Sequence, residues 1–225
     1  RDDGNGTGGL LGRPVEIIVY DEQSTPASVP GLYTKLISVD KADLLLGPYG
    51  TNFVAPVMPT IIQNKKMLIS FTAIGINDQY HYDKYFSMVP VGSDGVNAFS
   101  KGFFEMAAKQ NPKPQTVAII AADAEFAQAA AQGAREELKK HGFKLIFDKS
   151  YPPNTTDFTP VMRAVQAANA DIVYAGAYPP DSVGLVRAAN EIGLTPKLFG
   201  GALIAQLVTP INVQLGPVQN ALPTQ

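Results

Sequence analysis

The 225-residue chain is 45% apolar and 17% charged, with a formal net charge of −2, two histidines and no cysteine. That balance permits one or two buried cores, since domains run about 100 to 200 residues, and it excludes disulfides, thiolate metal sites and cysteine nucleophiles. Scattered basic residues give no electrostatic footprint for nucleic acid or an anionic membrane, and no apolar run approaches the ~20 residues of a spanning helix.

Short β-branched apolar runs alternate with longer amphipathic ones. Residues 15–20 (VEIIVY) read as a strand and residues 26–39 as a helix whose first turn holds Pro30 and Gly31. A strand is expected at 43–46, a helix to about 64, a strand at 67–69, an extended segment at 86–89 and a helix over 94–110. Beyond Pro114 the rhythm is cleaner. QTVAIIAAD is a buried strand, and residues 125–141 form a helix stopped by Gly142. FKLIFDKSY is a strand, 158–169 a helix, DIVYAG a strand, 181–192 a helix, KLFGG a last strand, and 207–215 a helix-like continuation. Parallel strands need crossovers, so this alternation predicts doubly wound α/β architecture. MVPVGSDG (88–95) mixes proline, glycine and extended residues, and marks a crossing between lobes at 1–90 and 91–225. The chain begins at Arg1 without an initiator methionine and ends on Leu222-Pro223-Thr224-Gln225, so a window on a longer protein is expected.

In open α/β sheets ligands bind beyond the carboxyl ends of the strands. The stretch DLLLGPYGTNFVAP (43–56) ends a strand in Gly47-Pro48-Tyr49-Gly50, with Thr51 or Asn52 as the expected helix N-cap. The same anatomy recurs in LISFTAIG (Phe71, Thr72, Ala73), IIAADAEFAQ (Asp123, Phe126), VYAGAYPPD (Tyr178) and KLFGGA (Gly201, Ala202). One such turn is an ordinary cap; five in succession, most with an aromatic or small hydroxyl, point to a lined cleft.

These residues resemble the substrate-binding proteins of bacterial ABC transporters of the branched-chain amino acid class, a type I periplasmic binding fold. GGLLGRPVEIIVYDEQSTP, LLLGPYGTNFVAPV, LISFTAIG, DAEFAQAAAQGAREELKKHGFKL and DFTPVMRAVQAANADIVYAGAYPPDSVGLVRAANEIGL follow that family's order across nearly the whole chain. The resemblance implies two lobes, the first without its initial strand and helix, the second without its C-terminal return segment, and an export signal outside the window. It also implies a small-molecule ligand, delivery to a membrane ABC permease, a periplasmic location, a monomer, and no cofactor, metal or catalytic group.

Carried over by resemblance, the carboxylate of an amino acid ligand would fall on Gly50 and Thr51 and on Thr72, Ala73 and Ile74. The acid that holds the ammonium group in those relatives is replaced by Ala202, with Asp181 as the nearest substitute. An unpaired buried charge costs about 2 to 5 kcal/mol, so an organic acid without an amino group is expected. The second-lobe tyrosine becomes Phe126, and Tyr49, Phe71, Phe126 and Tyr178 would line an aromatic pocket, although Phe71 and Phe126 are as well explained as packing residues.

GNGTGG (4–9) fits G-x-G-x-x-G but precedes a strand, so it reads as a mobile loop instead of a dinucleotide site. Asn5 and Asn154 begin glycosylation sequons by pattern only. His81 and His141 lie far apart, the latter at a helix end where positive charge is favourable. Asp21 and Glu22 have no visible nucleophile or base beside them, and Glu136, Glu137, Lys139 and Lys140 read as a solvated helix face. A branched-chain or other amino acid binding protein, a ligand-sensing domain of the same fold, and an α/β enzyme on an organic acid are the alternatives.

Overall fold

The structure is a computed structural model that describes residues 5–89, 91–92 and 94–202. The chain divides into two compact units, Arg1–Val89 and Pro90–Gln225. The expected lobe crossing includes Pro90 and Ser93, and the expected helix at 207–215 follows residue 202, so these lie outside the described residues.

In the first unit a 3-10 turn (Pro26–Ser28) leads into α1 (Val29–Ser38). Pro30 is tolerated because it sits in the first turn, where the N–H lacks an intrahelical partner. Then come β1 (Leu45–Leu46), α2 (Thr51–Val54), a 3-10 turn (Ala55–Val57), α3 (Met58–Gln63), β2 (Leu68–Ser70), α4 (Ile76–Tyr80) and β3 (Tyr85–Ser87). The single helix expected up to residue 64 is broken into three pieces, as Pro56 and Pro59 each occupy the opening turn of a new piece. Helix α4 was not expected from the sequence.

The strands pair in parallel in the order β1-β2-β3, with Leu45 opposite Leu68 and Leu68 opposite Tyr85. Parallel crossovers are right-handed as a rule, so two successive ones in one direction put their helices on one face. On that face Leu45, Leu68 and Tyr85 are buried with Val54, Val57, Met58 and Ile61. On the other, Leu46 and Phe86 are exposed.

Residues 15–20 do not form a strand. A strand needs a neighbour for its N–H and C=O groups, and no described strand pairs with this segment; Val19 is 79% exposed. It is held instead by side chains. The Asn5 amide exchanges two hydrogen bonds with the Val15 backbone (2.6 and 2.9 Å), and the Tyr20 hydroxyl donates to Asp40 (2.8 Å). Asn5, in the glycine loop, is thus tied to Val15.

The second unit contains α5 (Lys101–Ala108), β4 (Thr116–Ala122), α6 (Glu125–Lys140), β5 (Lys144–Tyr151), α7 (Thr159–Ala168), β6 (Ile172–Gly176), α8 (Pro179–Glu191) and β7 (Leu198–Ala202). Helix α5 starts later than expected because Asp94 accepts from the Asn97 backbone N–H (3.3 Å) and side-chain amide (3.0 Å), a local turn that competes with helix. The parallel order is β5-β4-β6-β7. The chain moves one way from β4 to β5 and the opposite way from β5 to β6 and β7, so right-handed crossovers place α6 on one face and α7 and α8 on the other. This unit is doubly wound.

Its core is aromatic on the α6 side. The Tyr174 ring lies 5.4 Å from Phe103 and 5.6 Å from Phe104, and its hydroxyl donates to the Phe99 carbonyl (3.1 Å). Gly176 is required where α6 crosses, because a Cβ there would sit 2.5 Å from the Ala127 carbonyl oxygen. At the amino ends of the strands Asp171 accepts from the Gln115 backbone N–H (2.7 Å) and pairs with Lys197 (2.8 Å). One surface expectation fails: Glu137 is buried, held by Lys140 at 2.6 Å and facing His141 at 3.8 Å, since that turn of α6 points inward.

Candidate functional site

At the carboxyl ends of β1 and β2 two loops are knitted together by the residues singled out in the sequence. Gly50, at φ +89, is the N-cap of α2, so neither Thr51 nor Asn52 takes that role. The Gly50 N–H donates to Thr72 Oγ1 (2.8 Å). The Ile74 N–H donates to Thr51 Oγ1 (3.1 Å), and the Thr51 hydroxyl lies 3.5 Å from the Ile74 carbonyl. Ala73 is buried, with its N–H 3.4 Å from Ser70 Oγ. Two of the donors assigned to a carboxylate, Gly50 N and Ile74 N, thus serve the loop pair itself. Thr72 is half-buried, and its hydroxyl accepts through one lone pair while its own proton stays available to a further acceptor. Beside them two large rings stand in solvent, Tyr49 at 53% and Phe71 at 59% exposure. Among the described residues Phe71 packs little.

Phe126 is the most deeply packed of these rings. It is 5% exposed, meets Phe99 edge-on at 5.1 Å and lies 5.7 Å from the half-buried Tyr178 ring. These two rings belong to the first turn of α6 and the N-cap of α8. They follow β4 and β6, neighbouring strands whose helices depart to opposite faces, and that divergence is the topological switch point at which open α/β sheets hold ligands. Asp123, directly after β4, is exposed.

Asp181 sits at the third position of α8. It accepts from the Tyr151 hydroxyl (2.9 Å) and from the backbone N–H of Tyr178, half of a capping box. Burial raises its carboxyl above the usual carboxylate range, against the opposing effect of those two donors. Burial also raises the Tyr151 hydroxyl, with the Asp181 charge adding to it. Ala202 is the last residue of β7, opposite Gly176; its side chain is buried and its carbonyl accepts from the Ala177 N–H (3.3 Å).

A family model described as periplasmic binding protein matches residues 2–217. The chain belongs to that family. Among curated relatives, this periplasmic binding protein is 24% identical over 211 residues to an amino acid binding protein of Pseudomonas aeruginosa, covering 92% of this chain and 55% of the relative. It is 22% identical over 204 residues to the Leu/Ile/Val-binding protein of Escherichia coli, covering 90% and 54%. The chain spans about half the length of the curated relatives it matches.

Among solved structures, a leucine binding protein of Thermotoga maritima superposes with a TM-score of 0.81 at 15% identity, covering 95% of this chain and 59% of that one. An R. palustris ABC transporter solute binding protein in complex with 4-hydroxybenzoate gives a TM-score of 0.76 at 22% identity, covering 88% and 53%. These likenesses establish the type I fold of the periplasmic binding protein family.

Tyr151 and the role of Asp181 as its acceptor escaped the sequence reading. No periodicity links a strand's last residue to the first turn of a helix thirty residues on. Asn52 was visible only as an alternative cap.

Proposed function

We propose that the full-length protein captures a small organic acid, aromatic or branched aliphatic and without an amino group, outside the cytoplasm, and hands it unchanged to a membrane ABC permease. Family membership supports capture without turnover. Its relatives include a Leu/Ile/Val-binding protein and a solute binding protein in complex with 4-hydroxybenzoate. The strand-end surfaces of the two units are the proposed ligand contacts: Tyr49, Gly50, Thr51, Phe71, Thr72, Ala73 and Ile74 in the first, and Phe126, Tyr178 and Ala202 in the second. A monomer in the periplasm, or tethered at the outer side of a membrane, suits that role. Among the described residues no helix is long and apolar enough to cross a membrane.

The observation that carries this choice is the end of β7. Ala202 closes that strand with a buried methyl group, and the carboxyl of Asp181, in the first turn of α8, already accepts from the Tyr151 hydroxyl. The Ala202 side chain itself offers an ammonium group no counter-charge, and a buried unpaired charge is costly. Calorimetric titration of the full-length protein tests it. Benzoate or 4-methylpentanoate is expected to bind at least as well as leucine or valine; micromolar leucine binding without any response to the acids would reject the proposal.

A further inference from the structure

We infer that Tyr151 is a positioning residue that sets ligand preference in the second unit: its hydroxyl holds the Asp181 carboxyl as an acceptor and so keeps that acid from pairing with a ligand ammonium group. This rests on the reading of the second unit's strand-end surface as part of the ligand site. Tyr151 is the last residue of β5, and Asp181 stands in the first turn of α8, the helix that follows β6. Both therefore lie at the carboxyl edge of the sheet, where the proposed contact Tyr178 is the N-cap of α8.

The pair is held from two sides. The Tyr151 ring is buried and meets the buried Phe158 ring edge-on at 5.4 Å, so its hydroxyl is not free to swing away from Asp181, which it reaches at 2.9 Å. The Asp181 carboxyl also accepts from the Tyr178 backbone N–H. Asp181 is only partly buried, and a ligand group that reaches Tyr178 comes beside its carboxyl.

Helix capping does not require the tyrosine. The Tyr178 N–H alone completes the half-box at the start of α8, whereas the phenol takes up further acceptor capacity of the carboxyl. An ionised carboxylate is an acceptor only, and a phenol has one proton to give. With that proton placed on Asp181, the acid is less available to an ammonium. Burial raises this carboxyl against the pull of its two donors, so it is a group short of positive charge. Without the phenol proton, an ammonium is the donor that suits it best. An acid without an amino group brings no such donor and serves as the internal reference.

Titration of the full-length protein with leucine against 4-methylpentanoate, and with phenylalanine against 3-phenylpropanoate, reads the preference as a ratio of affinities. In Tyr151→Phe, which keeps the ring and removes the hydroxyl, that ratio is expected to move toward the amino acid by roughly ten- to a hundredfold. Adding Asp181→Asn abolishes the gain, because the effect runs through the carboxyl; a general loosening of the fold would survive the second substitution. Asp181→Asn alone leaves the native ratio in place and reads the assignment should Tyr151→Phe not fold. An unchanged ratio in Tyr151→Phe, a gain that persists in the double variant, or a fall in relative amino acid affinity in Asp181→Asn overturns the assignment while leaving acid capture intact. A native protein that binds leucine and none of the acids rejects the functional reading and this assignment with it.

Discussion

The two units use the same residue types at their strand ends and put them to different physical use. In the first unit the strands are two or three residues long, the described helices cover one face, and Tyr49 and Phe71 stand in solvent above a hydrogen-bonded pair of loops. In the second, strands of five to eight residues carry helices on both faces, and Phe126 is drawn into the core beside Phe99 and Tyr178. An aromatic residue after a strand becomes a wall or a brick according to the depth of the layer behind it.

That contrast is open to direct attack. The largest effect is expected for Phe126→Ala, which removes a buried ring and destabilises by about 3 to 5 kcal/mol in denaturant unfolding of the full-length protein. A loss below about 1 kcal/mol would place Phe126 outside the core. Thr51→Val comes next. It strips the partner from the buried Ile74 N–H and costs about 1 to 3 kcal/mol, whereas Thr51→Ser retains the hydroxyl and most of the stability. Equal losses in both variants would show that the methyl group, not the hydrogen bond, joins the loops.

A smaller effect separates the two faces of acidity in the second unit. The folded Asp181 carboxyl lies above its ordinary value of 3.8, so its stabilising contribution is complete below that value and is lost as pH rises through the folded value. Asp181→Asn is expected to flatten the decline in stability from about pH 4 upward in unfolding curves measured across pH. A steeper decline in the variant would reverse the sign argued here. The smallest stability effect belongs to Phe71→Ala, within about 0.5 kcal/mol because the ring packs little; its consequence is expected in ligand affinity, measured by titration.

The second unit was legible in its element order, though not in the start of α5 or the burial of Glu137. TVAIIAA and IVYAG are too apolar for an edge, the intervening helices have clear periodicity, and glycines stop them where expected. The first unit was harder to read. Its apolar segment at 15–20 has strand composition without a described strand beside it, and its prolines divide one apolar run into three short helical pieces. For the site, the turns after β1, β2, β4 and β6 were identifiable from glycines, threonines and aromatics. Which donors those turns spend on one another was not, because Gly50 with Thr72 and Thr51 with Ile74 are pairings more than twenty residues apart.

The sequence by itself determined the alternation of strands and helices, the parallel sheets that follow from it, and the kinship carried by the order of its turns, because hydrophobic period and chain stops are local properties. Tertiary structure alone decided that Phe126 is buried and Phe71 is not, that Glu137 points inward, that Asp181 is held by Tyr151, and that Asn52 is left with an unpaired oxygen. Burial and hydrogen-bond satisfaction depend on what the fold brings alongside a residue, and no local pattern of the chain records that.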